Sequence, residues 1–235
     1  GWVLDTMKVL HTEVKVEETV RKILSQVRRD GDRALLTLTK KFDRHAPKTL
    51  EVTRSEIREA WRMVGRPQLN SLKLAARRIE RFHRLQLRRY GPSWQIREKG
   101  SSLGERIQPL SRVGIYVPGG LAAYPSTVLM NSIPARVAGV DEIIMCSPWT
   151  GGIANPYTLV AADLVGIKRI FKVGGAQANA AMAYGTKSIP PVDKIVGPGN
   201  IFVATAKRLV FGKVGIDMIA GPTEIVVIAD ETARP

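Results

Sequence analysis

The chain has 235 residues, of which 44% are hydrophobic, and it carries a formal net charge of +15. This length suffices for one large domain or two modest ones, and this hydrophobic content can fill a core. No stretch approaches the roughly 18 consecutive apolar residues of a membrane-spanning helix, and the first residues lack the basic-then-apolar order of a signal peptide. The composition therefore predicts a globular, cytoplasmic protein that has no membrane partner.

The positive charge raises the question of a nucleic-acid partner. Much of it lies in the N-terminal part of the chain, and its densest run extends from Arg77 to Arg89. The apolar residues Ile79, Phe82 and Leu85 alternate there with arginines at helical spacing. No helix-turn-helix spacing, zinc finger or aromatic-rich strand motif accompanies this run. We interpret it as an amphipathic helix whose basic face meets solvent or another subunit, and we expect no nucleic-acid partner.

The chain opens with two predicted helices. Hydrophobic residues recur three and four apart from Val16 to Val27, and Gly31 then supplies a C-terminal stop. Asp32 is placed to cap a second helix that extends through Phe42.

Two further helices are predicted before residue 91. After an extended segment over 49–52, Thr53 and Glu56 have the spacing of a capping box for a short helix. Pro67 begins the long basic helix, and 91–92, a Gly-Pro pair, ends it. The polar residues 93–105 are typical of a strand or of a loop crossover, so both interpretations stay open.

From residue 113 onward, short apolar runs alternate with helical segments. The predicted strands are 113–117, 143–146, 170–173, 194–196, 215–218 and 225–229, and the predicted helices are 126–137, 156–164, 177–184 and 200–209. Parallel strands that are joined by helices form βαβ units. The sequence therefore predicts an α/β fold, with a Rossmann-like, doubly wound, mostly parallel sheet preceded by an N-terminal helical segment.

This pattern also predicts where domains begin and end. We expect a mainly helical segment over 1–111, a Rossmann-like domain over 112–224, and the first strand of a further domain over 225–235. The single cysteine, Cys146, lies inside a predicted strand and has no histidine or basic residue beside it in sequence. We interpret it as a small core hydrophobe in a reducing compartment.

Four glycine-rich turns, at 118–120, 174–177, 197–200 and 221–224, each follow a predicted strand. Glycine adopts positive φ without strain and lets backbone N–H groups approach a phosphate closely. The ends of parallel strands meet at one sheet edge, which is where open α/β sheets bind ligands. Since the chain lacks a G-x-G-x-x-G run, each glycine pair by itself fits a tight strand-to-helix turn better than a phosphate cradle.

Four uncharged hydrogen-bonding side chains accompany these turns. They are Tyr116, Gln177, Asn200 and Thr223, and they suit ribose hydroxyls, amides and phosphate oxygens. From the residues alone, Tyr116 also fits an aromatic side chain that packs on the sheet, and Gln177 and Asn200 also fit helix caps. The clustering of all four beside the turns favours a ligand crevice.

The same part of the chain resembles the histidinol dehydrogenase family. The matching motifs are the runs 116–120, 124–131, 134–140, 173–178, 183–186, 192–200 and 217–224, in order and at family spacing. The resemblance implies oxidation of L-histidinol to L-histidine through the aldehyde, as the last steps of histidine biosynthesis, with NAD and zinc in a homodimer. It implies that Tyr116, Gln177 and Asn200 contact NAD and that Thr223 contacts the substrate.

The family's zinc ligands and its paired glutamate and histidine bases match no position of this sequence. The three histidines, His11, His45 and His83, lie in the N-terminal part, with no two at metal-ligand spacing. No catalytic residue and no metal ligand is therefore assigned, and we expect a truncated histidinol dehydrogenase that does not turn over histidinol alone. Two alternatives stay open: an NAD-binding or interaction module without catalysis, and a family relative that oxidises another polar alcohol.

Overall fold

The computed structural model describes residues 2–45, 47–91, 93–119, 124–152, 154–219 and 226–233, with side chains from residue 14 onward. The helices are α1 Trp2–Asp30, α2 Asp32–Asp43, α3 Arg54–Met63, α4 Arg66–Tyr90, α5 Pro125–Val137, α6 Pro156–Leu164, α7 Gly175–Tyr184 and α8 Ile201–Val210. The strands are β1 Trp94–Glu98, β2 Ser101–Glu105, β3 Arg112–Tyr116, β4 Glu142–Cys146, β5 Arg169–Phe171, β6 Lys194–Val196 and β7 Gly215–Ile216.

Five of these strands form a parallel sheet in the order β5-β4-β3-β6-β7. The chain enters the sheet at its central strand β3, proceeds outward to β4 and β5, and then returns to β6 and β7 on the other side. The direction of winding therefore reverses between β3 and β6. This arrangement confirms the predicted α/β fold with a doubly wound parallel sheet, and it creates a topological switch point at the carboxyl ends of β3 and β6.

Helices cover both faces of the sheet, and successive strand residues point to opposite faces. Ile115 belongs to the core beneath α5 and α6, whereas the next residue, Tyr116, belongs to the core beneath α7 and α8. The helices of the N-terminal segment form the outer layers: α1 packs on α7 and α8, α3 packs on α6, and α4 packs on α5. Among the described residues, no helix combines the length and hydropathy needed to cross a membrane.

The N-terminal segment is also joined to the edge of the sheet. The Val52 N–H donates to the Ile170 carbonyl at 2.8 Å, and the Lys172 N–H donates to the Leu50 carbonyl at 2.8 Å. The predicted extended segment before α3 thus pairs with the β5 edge of the sheet. The buried Lys172 ammonium adds a charge-assisted hydrogen bond of 2.7 Å to Glu56 of α3.

Two predicted helix starts had different outcomes. The capping box of α3 is confirmed: the Thr53 side chain accepts a hydrogen bond from the Glu56 N–H, and the Glu56 side chain accepts one from the Thr53 N–H. Asp32 as a cap is wrong, because the N-cap of α2 is Gly31 and Asp32 is already helical. Its carboxylate instead accepts hydrogen bonds from the Ser188 N–H and hydroxyl, at 3.3 and 2.7 Å. The Asp32 carboxylate therefore binds the distant loop at Ser188 and not the N–H groups at the start of its own helix.

Residues 94–105, interpreted as a strand or a loop, form the antiparallel hairpin β1–β2, in which every residue is exposed. The preceding basic helix α4 has no fully buried residue. Its apolar residues Phe82 and Tyr90 are 64% and 76% exposed. This helix and the hairpin therefore present apolar as well as basic side chains at the surface.

The predicted strand over 225–229 is wrong for its described part. Residues 226–229 form no strand, and Val226 and Ile228 are 89% and 96% exposed. A strand needs a neighbour that takes its backbone hydrogen bonds. The last described strand of the sheet, β7, contains only Gly215–Ile216 and does not pair with this segment.

Candidate functional site

A cavity of about 760 Å³ opens at the carboxyl ends of β3 and β6, at the switch point of the sheet. Its wall includes residues 118–119 after β3, Gly175 at the start of α7, and residues 198–200 before α8. Three of the four glycine-rich turns therefore gather along one sheet edge, as predicted. The fourth turn, at 221–224, lies outside the described residues. The volume is within the range of small-molecule sites.

Tyr116 is the last residue of β3, and its side chain reaches across to the start of α7. The ring is 4% exposed, and the hydroxyl oxygen accepts a 3.1 Å hydrogen bond from the Gly175 N–H. Burial raises the pKa of Tyr116 to about 12. The phenol therefore stays protonated at neutral pH, and its hydroxyl proton remains available to a ligand. This group acts as a hydrogen-bond donor and not as a base.

Gln177 lies in the first turn of α7 and also lines the cavity. The residue is 1% exposed, so its carboxamide is buried in the wall of the crevice. It does not cap α7, whose N-cap is Gly174. Gly175 adopts a φ of +63°, and a Cβ there would lie 2.8 Å from the Gln177 amide oxygen. Glycine at 175 therefore permits both the turn and the close approach of this carboxamide.

Asn200 is the N-cap of α8, as its alternative interpretation required. Its side-chain oxygen accepts hydrogen bonds from the Phe202 and Val203 N–H groups, at 3.1 and 3.2 Å. The side chain also lines the cavity and is exposed there. Because the oxygen is engaged, the amide NH₂ remains to donate to a ligand. Tyr116, Gln177 and Asn200 thus converge on one cavity, whereas Thr223 lies outside the described residues.

The turn before Asn200 is held at both backbone groups of Gly197. The Gly197 N–H donates to the Asp217 carboxylate at 2.9 Å, and the Gly197 carbonyl accepts from the Lys207 ammonium at 3.0 Å. Lys207 and Asp217 also form an ion pair. Gly197 has a φ of +116°, and a Cβ there would lie 2.1 Å from the Tyr116 carbonyl oxygen. Sequence reasoning missed this clamp, because Lys207 lies outside the matching motifs and the motif 217–224, which Asp217 begins, does not show that Asp217 meets Gly197 and Lys207.

Sequence reasoning also missed Asp43, the last residue of α2. The Asp43 side chain lines the same cavity, on the side formed by the N-terminal helices. It is 8% exposed, and burial raises the pKa of its carboxyl to about 6. The one signal in the sequence was its place at a helix C-terminus, where a carboxylate opposes the helix dipole.

The described residues do not fit a zinc site. No three His, Cys, Asp or Glu side chains among them lie close enough to hold a metal ion together. The His45 ring lies against Gly152, and His83 is on α4 with its Nδ1 2.9 Å from the Gln86 side-chain oxygen. The side chain of His11 lies outside the described part.

Cys146 is a free, fully buried cysteine at the end of β4, which confirms its interpretation as a core residue. Burial raises the pKa of its thiol to about 12. The thiolate that nucleophilic chemistry requires is therefore absent at neutral pH.

Comparisons with known proteins agree with this geometry. A family model described as histidinol dehydrogenase matches residues 7–235. The chain is 54% identical, over 94% of its length, to histidinol dehydrogenase of Geobacter sulfurreducens, and 54% identical to that of Aquifex aeolicus over 95%. It covers 52% and 51% of those two proteins.

A solved structure shows the same relationship. The crystal structure of histidinol dehydrogenase from Elizabethkingia anophelis matches 93% of the chain and is 39% identical, with a TM-score of 0.84, and the chain covers 51% of it. The chain therefore spans about half the length of the relatives it matches. On the family match and these identities together, the chain belongs to the histidinol dehydrogenase family.

Proposed function

We propose that this chain forms the NAD-binding part of an NAD-dependent histidinol dehydrogenase, which oxidises L-histidinol to L-histidine through the aldehyde. The observation that carries the proposal is the convergence of Tyr116, Gln177 and Asn200 on one cavity at the switch point of the sheet. NAD would accept a hydride from the substrate carbon in each of the two steps, alcohol to aldehyde and hydrated aldehyde to acid, so two NAD are consumed per L-histidinol. The setting is cytoplasmic histidine biosynthesis.

In this proposal the three side chains hold and orient the dinucleotide. Tyr116 and Asn200 each have one polar atom engaged by the protein and a proton left to donate. Gln177 offers a donor and an acceptor from a buried position. Neutral donors of this kind suit sugar hydroxyls and phosphate oxygens. Thr223 contacts the L-histidinol substrate in this proposal.

The oxidation also needs a base that removes the hydroxyl proton as the hydride leaves. Tyr116 does not supply it, since its pKa is raised to about 12. We propose that the bases and the zinc ligands belong to the portion of the family enzyme that this chain does not span. The 235-residue chain then binds NAD without oxidising histidinol.

The cofactor site is tested by titration calorimetry with NAD and two variants. Asn200→Asp keeps the oxygen that caps α8 but removes the NH₂ donor, so the fold is retained while NAD binding weakens about tenfold. Gln177→Ala is expected to weaken binding by a similar factor. Absence of NAD binding by the parent chain, or unchanged affinity in both variants, would refute the proposed site.

The assignment of the reaction is tested by following NADH formation at saturating NAD, L-histidinol and zinc. We expect no turnover by the 235-residue chain and turnover when the remaining half of a family enzyme is supplied. Turnover by this chain alone would show that it contains the base. Turnover of the reconstituted protein with a different polar alcohol, but not with histidinol, would favour another substrate. NAD binding without any turnover would favour a binding module.

We also propose that the protein acts as a homodimer. The support is the exposed apolar surface of α4 and the β1–β2 hairpin, where Phe82, Tyr90 and Leu103 are 64%, 76% and 67% exposed. Apolar patches of this kind mark protein interaction surfaces. Analytical ultracentrifugation tests it, and a monomer at all concentrations would contradict it.

A further inference from the structure

Asp43 occupies a position in the crevice that the fold itself does not explain. The residue is 8% exposed and lines the cavity with Tyr116, Gln177 and Asn200. Its Oδ2 atom has no hydrogen-bond partner among the described residues. A buried polar atom normally has a partner, because leaving it unpaired costs free energy. Asp43 thus combines a buried acceptor that has no donor with a place in the wall of a ligand-sized cavity.

Three physical effects oppose the ionised form at this position. The carboxylate is removed from water, it lies at the C-terminal end of α2, and it lacks a hydrogen bond at Oδ2. Burial raises the pKa of Asp43 to about 6, and the neighbouring His45 acts in the opposite direction. The residue after it, Arg44, has a φ of +54°, an uncommon conformation for a side-chain-bearing residue. An asparagine here would make the ligand-free protein more stable.

The other described residues that line the cavity carry no formal charge. They are aromatic, aliphatic, proline, glycine, threonine and amide side chains, without any lysine, arginine or histidine. Asp43 is therefore the single formal charge of the described crevice wall, and it is negative. A carboxylate accepts hydrogen bonds and does not donate them. The group that it recognises must donate, and it must not bring a second negative charge to the carboxylate.

Two neighbouring hydroxyls of a ribose meet this requirement. We propose that Asp43 is a specificity residue, whose carboxylate accepts hydrogen bonds from a ribose diol of the dinucleotide and rejects a ribose that carries a 2′-phosphate. The inference rests on the proposed function, which supplies the dinucleotide. Acidic residues perform this recognition in other dinucleotide-binding folds. Here the carboxylate comes from a helix of the N-terminal segment and not from a strand end of the sheet.

Titration calorimetry with NAD and with NADP tests the inference on three forms of the chain. These are the parent chain, Asp43→Asn, and Asp141→Asn, an exposed control that precedes β4 at the opposite edge of the sheet. We expect the parent chain to bind NAD at least tenfold more tightly than NADP. Asp43→Asn should weaken NAD binding about tenfold or more, the loss expected for a hydrogen bond to a charged group. The NAD-to-NADP ratio should fall with it.

Thermal unfolding of the ligand-free proteins distinguishes a ligand-binding role of Asp43 from a purely structural one. We expect Asp43→Asn to raise the unfolding temperature at pH 7 while it weakens NAD binding, and Asp141→Asn to change neither. A lower unfolding temperature together with weaker binding would identify Asp43 as a structural residue and overturn the inference. NAD binding by the parent chain with unchanged affinity in Asp43→Asn would overturn it as well. In that case the proposed function would stand, whereas a parent chain without NAD affinity would refute both.

Discussion

The contacts of Lys207 and Asp217 with Gly197 should stabilise the turn that lines the crevice before Asn200. Lys207 is 5% exposed, donates to the Gly197 carbonyl, and pairs with Asp217, which in turn accepts from the Gly197 N–H. Lys207→Met keeps the aliphatic length but removes the ammonium. The variant leaves Asp217 without its cation and the Gly197 carbonyl without its donor.

The size of the effect follows from burial. Removing one partner of a fully buried ion pair costs about 3–5 kcal/mol, and a hydrogen bond to a charged group contributes roughly 1.5–3 kcal/mol. The Asp217 side chain is 29% exposed, so water partly replaces the lost partner. We therefore expect Lys207→Met to lower the free energy of unfolding by about 2–4 kcal/mol. Asn200 lies on the same turn, so NAD binding should weaken too.

Urea unfolding measures the first effect, with Lys213→Met as a control that removes an exposed lysine from the loop after α8. A double-mutant cycle with Asp217→Asn measures the coupling, which we expect to be about 1–3 kcal/mol. The clamp would be refuted if Lys207→Met lost less than about 1 kcal/mol of unfolding free energy, no more than the control. It would also be refuted if the effects of Lys207→Met and Asp217→Asn were strictly additive.

The remaining predictions concern three separate positions. The pKa of Asp43, about 6, lies above its ordinary value of 3.8, so between these pH values the native state binds more protons than the unfolded state. The stability of the parent chain relative to Asp43→Asn should therefore fall as the pH rises from about 4 to about 6. Chemical denaturation at several pH values measures this, and a difference independent of pH would contradict the burial of that carboxyl. Cys146, with its thiol pKa raised to about 12, should react with an aromatic disulfide reagent only after denaturation, and rapid labelling of the native protein would contradict its burial. Thr53→Ala should destabilise the fold by about 1 kcal/mol through loss of the capping box of α3, whereas an unchanged denaturation midpoint would show that the cap contributes nothing.

The arrangement of the layers explains why the N-terminal segment matters for the crevice. α1 and α2 cover the face of the sheet on which α7 and α8 lie, and both contribute to the cavity wall through residues such as Thr19 and Asp43. The turns after β3 and β6 supply the opposite side. The cavity is therefore built from both parts of the chain, and a fragment that begins at residue 112 would lose one wall.

The sequence by itself determined the features that depend on neighbouring residues. Apolar periodicity predicted the helices and the parallel strands, the spacing of Thr53 and Glu56 predicted a capping box, and the glycine turns after strands predicted a crevice at one edge. These signals act over a few residues, so no knowledge of distant contacts is needed to interpret them. The family motifs between 112 and 224 indicated Tyr116, Gln177 and Asn200, which line that crevice, and Thr223, which stays a prediction because it lies outside the described residues.

Only the tertiary structure decided which distant residues meet. It brought Asp43 from the second helix to the crevice, paired Lys207 with Asp217 around Gly197, and directed Asp32 to a distant loop instead of its own helix end. It also shows that residues 226–229 pair with none of the described strands. Hydrogen-bond partners and burial are properties of the packed chain, and a residue's own sequence neighbours carry no record of them.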